Sequence, residues 1–565
     1  MSKVQSASTQ RGFEIIADAL VAAEVECIFG VLGDDTGPLI DATTRRGIRY
    51  IFVRHENQAV AMADGYSRAT GRTGVATVTG GPGFSNALTA IHSAHRGRSR
   101  ICVLIGSGTV AEDDLAPHKI RSTPPANWLK YFPQGAALDL LGVCTVKPEN
   151  VASAWHDTHL AMAHARSRAV VLLLARDVLE GTVSGDGFSR SLPNAQEKPV
   201  TPDGQQIASV VELLQETWAI NRPVIVAGRG AASSGAAPAL RRLGELTGAI
   251  LTTTLHSNAL FHGDPYNAGI CGTYSTPVAS DLILQADCIL AFGAGLNALT
   301  TYKNTLFPKA MIIQVDTDPA AFGRFVDVEI GIQADCRLTA EALVAELERC
   351  GHSAEGFRTD VVCKSIADYR VAEGVKDQTT SELIDPRTLM IELNKALPAQ
   401  RILCADGGQQ ARFAIRYMQV EKSQNFIQAC DAGAIGLGMG TAIGAAIARP
   451  GEIVMAAIGD ASMMMSLGDL ETAVRLGLPI LVVVSNDEAL GSEVNFLSEL
   501  GMSTDVALTP SPSFAAIALA MGAQAATVRS AADLKTALQK WLGAPQDVPL
   551  VLDCRINPEI RAQFV

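Results

Sequence analysis

Charge is scarce in this 565-residue chain, and what there is leans acidic. Only 18% of residues are Asp, Glu, Lys or Arg, and 46 basic against 58 acidic side chains leave a net charge of −12. With no basic excess to neutralise phosphates, a nucleic-acid-binding role is excluded. Cysteine is sparse and unpatterned: there are 11, an odd number, and no C-x-x-C pair. Neither a disulfide framework nor a zinc site is therefore expected, and a reducing cytoplasm suits the chain. The small-residue run from Ala432 to Ala448 carries five glycines and falls short of the roughly 20 apolar residues that span a bilayer, so no membrane partner is expected. The opening residues, MSKVQSASTQRG, have no apolar core and do not read as a secretory signal. What the chain does have is apolar material, 48% of it, which rules out a disordered polymer and supplies several buried cores.

Punctuation divides the chain into three α/β blocks, at 1–185, 200–350 and 380–565. In the first, the runs CIFGV, ICVLIG and VVLLLA alternate with Ala-rich segments; in the second, VIVAG, CILAFGAG and MIIQVD do; in the third, ILCADGG, EIVMAAIGD, PILVVVSND and LVLDC. Continuous apolar runs separated by helices predict parallel sheets buried on both faces, hence three consecutive doubly wound sheets. The polar stretches near 180–204 and 351–385 read as linkers. In such sheets ligands bind at the carboxyl ends of strands, where the chemistry-bearing motifs fall.

One strand is expected to end at Gly459-Asp460-Ala461, and the next at Asn486-Asp487, with 24 residues (462–485) between. Two strand ends can aim oxygen ligands at one hard cation such as Mg²⁺; on residue types alone they also read as ordinary capped turns. The spacing resembles the GDG-x(24–27)-NN motif of thiamine diphosphate-dependent enzymes, with Ala461 in place of glycine and Asp487 in place of asparagine. About 400 residues earlier, VRHENQAVAMADGYSRATG followed by GGPGFSNA is similar to the glutamate segment and GPG turn of the same family. DAGAIGLGMGTAIGA resembles the segment that bends the cofactor there.

The resemblance covers essentially the whole chain, in the order pyrimidine, central and diphosphate domains. It is closest to the acetohydroxyacid synthase, benzaldehyde lyase and 2-oxoacid decarboxylase branch. It implies thiamine diphosphate and Mg²⁺ as cofactors. Asp460, Asp487 and the Ala489 carbonyl are then the metal ligands, and Glu56 is the carboxyl that meets the aminopyrimidine. Pro82, Asn86, Gly407, Gly408, Gln409, Gly433, Ile435, Gly459, Ala461 and Ser462 complete the cofactor-binding set. Asp34 and Asp35 stand where relatives place proton-handling groups, and a polar turn accounts equally well for both; His118 and Gln134 are further candidates for the same pocket, though solvent exposure on a loop accounts better for a lone His or Gln. The implied activity is C–C bond cleavage or ligation of 2-oxo acids or acyloins through a C2 carbanion and enamine. The alternatives are an acetolactate synthase-like transferase or a catalytically silent cofactor-binding homologue. Phe496 stands where a synthase tryptophan is expected, which argues against a dedicated acetohydroxyacid synthase, and no arginine follows AFGAG, so bound FAD is not expected. The resemblance further implies a homodimer or a dimer of dimers, with each active site shared between subunits.

Overall fold

The runs Val170–Ala175 and Ile480–Asn486 are buried at every residue, as strands covered by helices on both faces must be. The computed structural model describes residues 9–109, 130, 132–184, 198–216 and 221–562. Its strands form three six-stranded sheets in which every pairing is parallel, and a short antiparallel ribbon joins Thr9–Arg11 to Thr182–Ser184. This is the expected α/β architecture of three consecutive doubly wound sheets.

The first sheet runs, in space, Arg49–Phe52, Cys27–Gly30, Gly74–Val78, Ile101–Ser107, Val170–Ala175, Cys144–Val146. The third runs Phe426–Gln428, Arg401–Ala405, Ile453–Gly459, Ile480–Asn486, Leu550–Arg555, Gln524–Val528. Counted in chain order within each sheet, both read 2-1-3-4-6-5. The chain direction therefore reverses between the first and third strands, and a crevice opens beyond their carboxyl ends. Gly33–Asp35 and Gly80–Pro82 edge that crevice in the first sheet; Asp406–Gly408 and Asp460–Ala461 edge it in the third.

The middle sheet is ordered differently: Asn267–Ile270, Ile250–Thr253, Pro223–Ala227, Cys288–Phe292, Met311–Asp316, Ile330–Gln333. This is the 3-2-1-4-5-6 order of dinucleotide-binding sheets, and the turns after its first and fourth strands meet backbone to backbone. The Gly228 N–H donates to Phe292 O at 2.8 Å and the Gly230 N–H to Gly293 O at 3.2 Å. A Cβ on Gly228 would lie 2.0 Å from the Gly293 carbonyl oxygen.

Six helices frame the site: α1 (Glu56–Thr70), α2 (Pro82–Arg96), α3 (Gly408–Tyr417), α4 (Gly438–Ala448), α5 (Asp460–Ser466) and α6 (Asp469–Arg475). Small residues let α1 and α4 touch at the backbone. A Cβ on Gly65 would lie 2.0 Å from Thr441 O, and one on Gly444 would lie 1.9 Å from Met62 O. The buried Gln58 amide bridges the same pair, donating to Gly436 O at 2.7 Å and accepting from the Gly440 N–H at 3.0 Å. One apolar core runs through both domains as a result, from Phe29 and Val103 to Ile443 and Val482. Among the described residues no helix is long and apolar enough to cross a membrane.

Candidate functional site

Asp460 opens α5 directly after a fully buried strand and is itself 2% exposed. Its Oδ1 accepts the Ala461 N–H at 2.9 Å, and its Oδ2 accepts the Ser511 hydroxyl at 2.8 Å. Asp487 leaves the adjacent strand. Its Oδ2 accepts from the Gln410 amide at 2.7 Å, whereas its Oδ1 is buried with no partner. The Ala489 N–H points at both carboxylates. Burial first, and the Asp460 charge second, push the Asp487 pKa up to about 7; burial also raises that of Asp460. Two converging buried carboxylates repel each other, and an oxygen-ligated dication relieves both penalties at once. The donor set therefore fits Mg²⁺. Among the described residues no group of three His, Cys, Asp or Glu side chains gathers as a metal site; the pair offers two carboxylates, a number compatible with a metal that also binds phosphate oxygens. Asn486 does not face this pair: its Nδ2 donates to Asp553 at 3.1 Å, and its Oδ1 accepts the Glu488 N–H at 3.2 Å.

Ala461 lies inside α5 and is not among the residues with positive φ, so its methyl group costs no backbone strain. Gly408 and Gly433 do have positive φ, +83° and +78°, with no atom within 4 Å of where a Cβ would stand; both leave backbone open to a ligand. Gly407 faces Ile435, whose Cγ2 would lie 2.8 Å from an added Cβ. Asp406, fully buried, ties these pieces together by accepting the Gly407 N–H at 2.8 Å and the Gly436 N–H at 3.0 Å. The Ser462 hydroxyl also donates to Asp406, and the buried Gln409 accepts from Asn495.

Glu56 is the first residue of α1, capped by the His55 Nδ1, which accepts the Asn57 N–H at 3.1 Å. Its Oε2 accepts from Asn86 at 3.0 Å, and the Gly83 turn lies against it. Exposed Pro82 begins α2 beside it. Just before Glu56, the Arg54 N–H donates to Asp469 at 3.0 Å, docking this strand end on α6. No hydrogen bond or ion pair joins Glu56 to Asp460 or Asp487. Asp35 and Gln134 brace the GPG turn. Asp35 accepts from the Thr79 hydroxyl at 2.7 Å and the Gly80 N–H at 2.8 Å, while Gln134, 3% exposed, accepts the Gly81 N–H at 2.6 Å and donates to Gly106 O at 3.0 Å. Asp34 is exposed and hydrogen-bonded to Lys130, which lowers its pKa. His118 lies outside the described residues.

Sequence reasoning passed over Gln58, Gln410, Asp431 and Ser511. Asp431, whose side chain is 5% exposed, precedes the Gly433–Gly436 loop and binds Arg68 of α1, His256 at 2.9 Å and Arg229 at 3.5 Å. It thereby joins all three sheets. The DAG run it heads was the only local signal.

Family models for thiamine pyrophosphate enzymes match along the chain in order: the N-terminal TPP binding domain at residues 10–129, the central domain at 207–343 and the C-terminal TPP binding domain at 406–554. The acetolactate synthase isozyme 2 large subunit of Escherichia coli is 26% identical, over 97% of this chain and 95% of that protein. A probable acetolactate synthase large subunit of Methanocaldococcus jannaschii is 27% identical, over 97% and 92%. The sulfoacetaldehyde acetyltransferase of Castellaniella defragrans is 27% identical, over 96% and 92%.

Proposed function

Since this chain belongs to the thiamine pyrophosphate-dependent enzymes, on their acetolactate synthase-like branch, we propose that it is a Mg²⁺-dependent lyase or carboligase acting on 2-oxo acids or acyloins. The observation that carries this reading is the buried Asp460–Asp487 pair, with one Asp487 oxygen unpartnered, beside an open glycine cradle.

Thiamine diphosphate, when bound, would supply a nucleophilic carbon and an electron sink for chemistry at the bond next to a carbonyl. Asp460, Asp487 and the Ala489 carbonyl would hold the metal. The backbone of Gly407, Gly408 and Gln409 opens α3, and its N–H groups suit a diphosphate; Gly459, Ala461 and Ser462, at the turn into α5, complete the proposed binding set. Ile435 and Gly433 shape the space between the two halves of the cofactor, and Glu56 holds a proton at the pyrimidine with Asn86 fixing its carboxyl. Gln58 and Asp406 keep the Gly433–Gly436 loop in place. By the same reading the enzyme is a cytoplasmic homodimer, or a dimer of dimers, whose sites combine Glu56 of one subunit with Asp460 of its partner.

The test is calorimetric titration of the protein with thiamine diphosphate and Mg²⁺. It is followed by assays of pyruvate and benzoylformate decarboxylation, benzoin and acetoin cleavage, and acetolactate formation. Asp487→Ala should weaken cofactor binding about 10–100-fold, as losses at metal sites do; unchanged affinity would remove the metal assignment. Cofactor binding without turnover of any of these substrates would favour a silent homologue.

A further inference from the structure

A cavity of about 240 Å³ lies on α3 where the helix meets the middle domain and the last described residues. Arg412, Phe413, Arg416 and Tyr417 of α3 form one wall; Tyr274, Arg387 and Arg561 complete it. Four guanidinium groups and one carboxylate, Glu559, line it, in a chain that is acidic overall. Their charges are unequally compensated. Arg387 is held by the fully buried Asp385 at 2.7 Å, and Arg412 shares a hydrogen bond with the Tyr274 phenol. Among the described residues Arg561 reaches only the Ser498 hydroxyl, at 3.3 Å. Arg416 makes no hydrogen bond or ion pair among the described residues. Arginine side chains lose considerable rotamer entropy when ordered, and no hydrogen bond or ion pair among the described residues compensates that loss at Arg416. An anion held in the cavity would, because guanidinium forks bind phosphate oxygens in pairs.

We propose that this cavity binds a small phosphate ester, its phosphate held by Arg416 and Arg561 and its organic part against Tyr274, Phe413 and Tyr417. The site is separate from the cofactor crevice. Arg416 lies two turns along α3 from the Gly408 cradle, and burial of Arg412, which lowers its pKa, marks the wall between as partly dry. The proposal stands independently of the reaction assigned above. The volume admits a sugar phosphate more comfortably than a larger nucleotide.

The experiment uses the full chain saturated with thiamine diphosphate and Mg²⁺, so that the cofactor site is already filled, and titrates it calorimetrically with glycerol 3-phosphate or inorganic phosphate. The ester should bind saturably at one site per chain, weaken with added salt, and lose about tenfold or more in affinity in Arg416→Gln, the usual worth of a charge-assisted hydrogen bond. Arg561→Gln, on an exposed residue, gives the same readout should the α3 variant fold poorly. Absence of saturable binding, or affinity unchanged in both variants, would overturn the site. Inorganic phosphate binding as tightly as the ester would overturn the assignment of the aromatic wall to an organic group.

Discussion

Gly444→Ala probes the contact that holds the two cofactor-binding sheets together. In an exposed helix the change would stabilise by about 1 kcal/mol through propensity. Here the new methyl would stand 1.9 Å from the Met62 carbonyl oxygen and 2.7 Å from its carbon. The obstacle is backbone of α1, which cannot rotate away, so α1 and α4 must part by more than 1 Å along a seam also closed by Gly65 and Gln58. Overpacking of this kind costs about 1–3 kcal/mol, and a rigid obstacle puts the cost near the top of that range, for a net loss of about 2 kcal/mol. A unit of 150–250 residues shifts its melting temperature by about 2–4 °C per kcal/mol, so scanning calorimetry should show a fall of about 4–8 °C. Cofactor affinity should fall as well, since Gln58 fixes Gly436 across the same seam. Gly204→Ala is the control: it opens the helix Gly204–Gln215 with nothing within 4 Å of its Cβ position, and its melting temperature should hold or rise slightly. A Gly444→Ala protein melting at or above the parent temperature would refute the close-packing argument.

Glu56→Gln should retain cofactor binding yet slow turnover about 10²–10⁴-fold, the usual worth of a positioned proton-transfer group; near-normal C2–H exchange of the bound cofactor would contradict this. Mixing inactive Glu56 and Asp460 variants after unfolding should return about a quarter of parental activity, because half of randomly paired dimers gain one intact shared site. No recovery, with reassembly verified by mass, would place both residues in a site within one chain. Burial first, then the Arg229 charge, lower the His256 pKa against the opposing pull of Asp431, with Arg68 adding to the lowering. The unfolded imidazole therefore takes up its proton first as pH falls below about 6.5, and stability drops there by up to about 1.4 kcal/mol per pH unit per group, staying flat above. His256→Gln should reduce that acid-side slope in denaturant titrations across pH, and an unchanged slope would show that His256 is not desolvated.

The sheets were legible because strands buried on both faces leave continuous apolar runs, and VVLLLA or ILVVVSN needs no partner to be recognised. Strand order was not legible: the shared 2-1-3-4-6-5 arrangement of the first and third sheets depends on which strands pair, and no local pattern encodes that. The residues brought to the candidate site divide in the same way. Glu56, Asp460 and Asp487 sit at strand ends within short motifs, so their positions could be read directly. Asp406, Gln58, Gln410 and Asp431 act through partners up to 382 residues away; Asp406, Gln58 and Asp431 lie within motifs that were visible, but nothing local showed that their side chains reach across the fold. Asp35 and Gln134 show the converse. Both stood out as polar residues in turns, and the structure spends their hydrogen bonds on the backbone of the GPG turn.

Asp487 poses the sharper electrostatic question. Asn486 is committed to Asp553 and to the Glu488 N–H, so residue 487 alone can face Asp460, and a carboxylate there doubles the negative charge of a buried site. Without a cation this arrangement opposes folding, as the raised pKa values of both groups record. With a dication the carboxylates are neutralised exactly once, and no positive charge remains to attract a diphosphate. That attraction must then come from elsewhere, and the ten-residue α3 provides it: Gly408 and Gln409 open the helix, where backbone N–H groups and the positive end of its dipole favour an anion. Gln410 of the same turn braces Asp487 at 2.7 Å, so one helix end both orients the Asp487 carboxylate and supplies the field that its extra charge would take away.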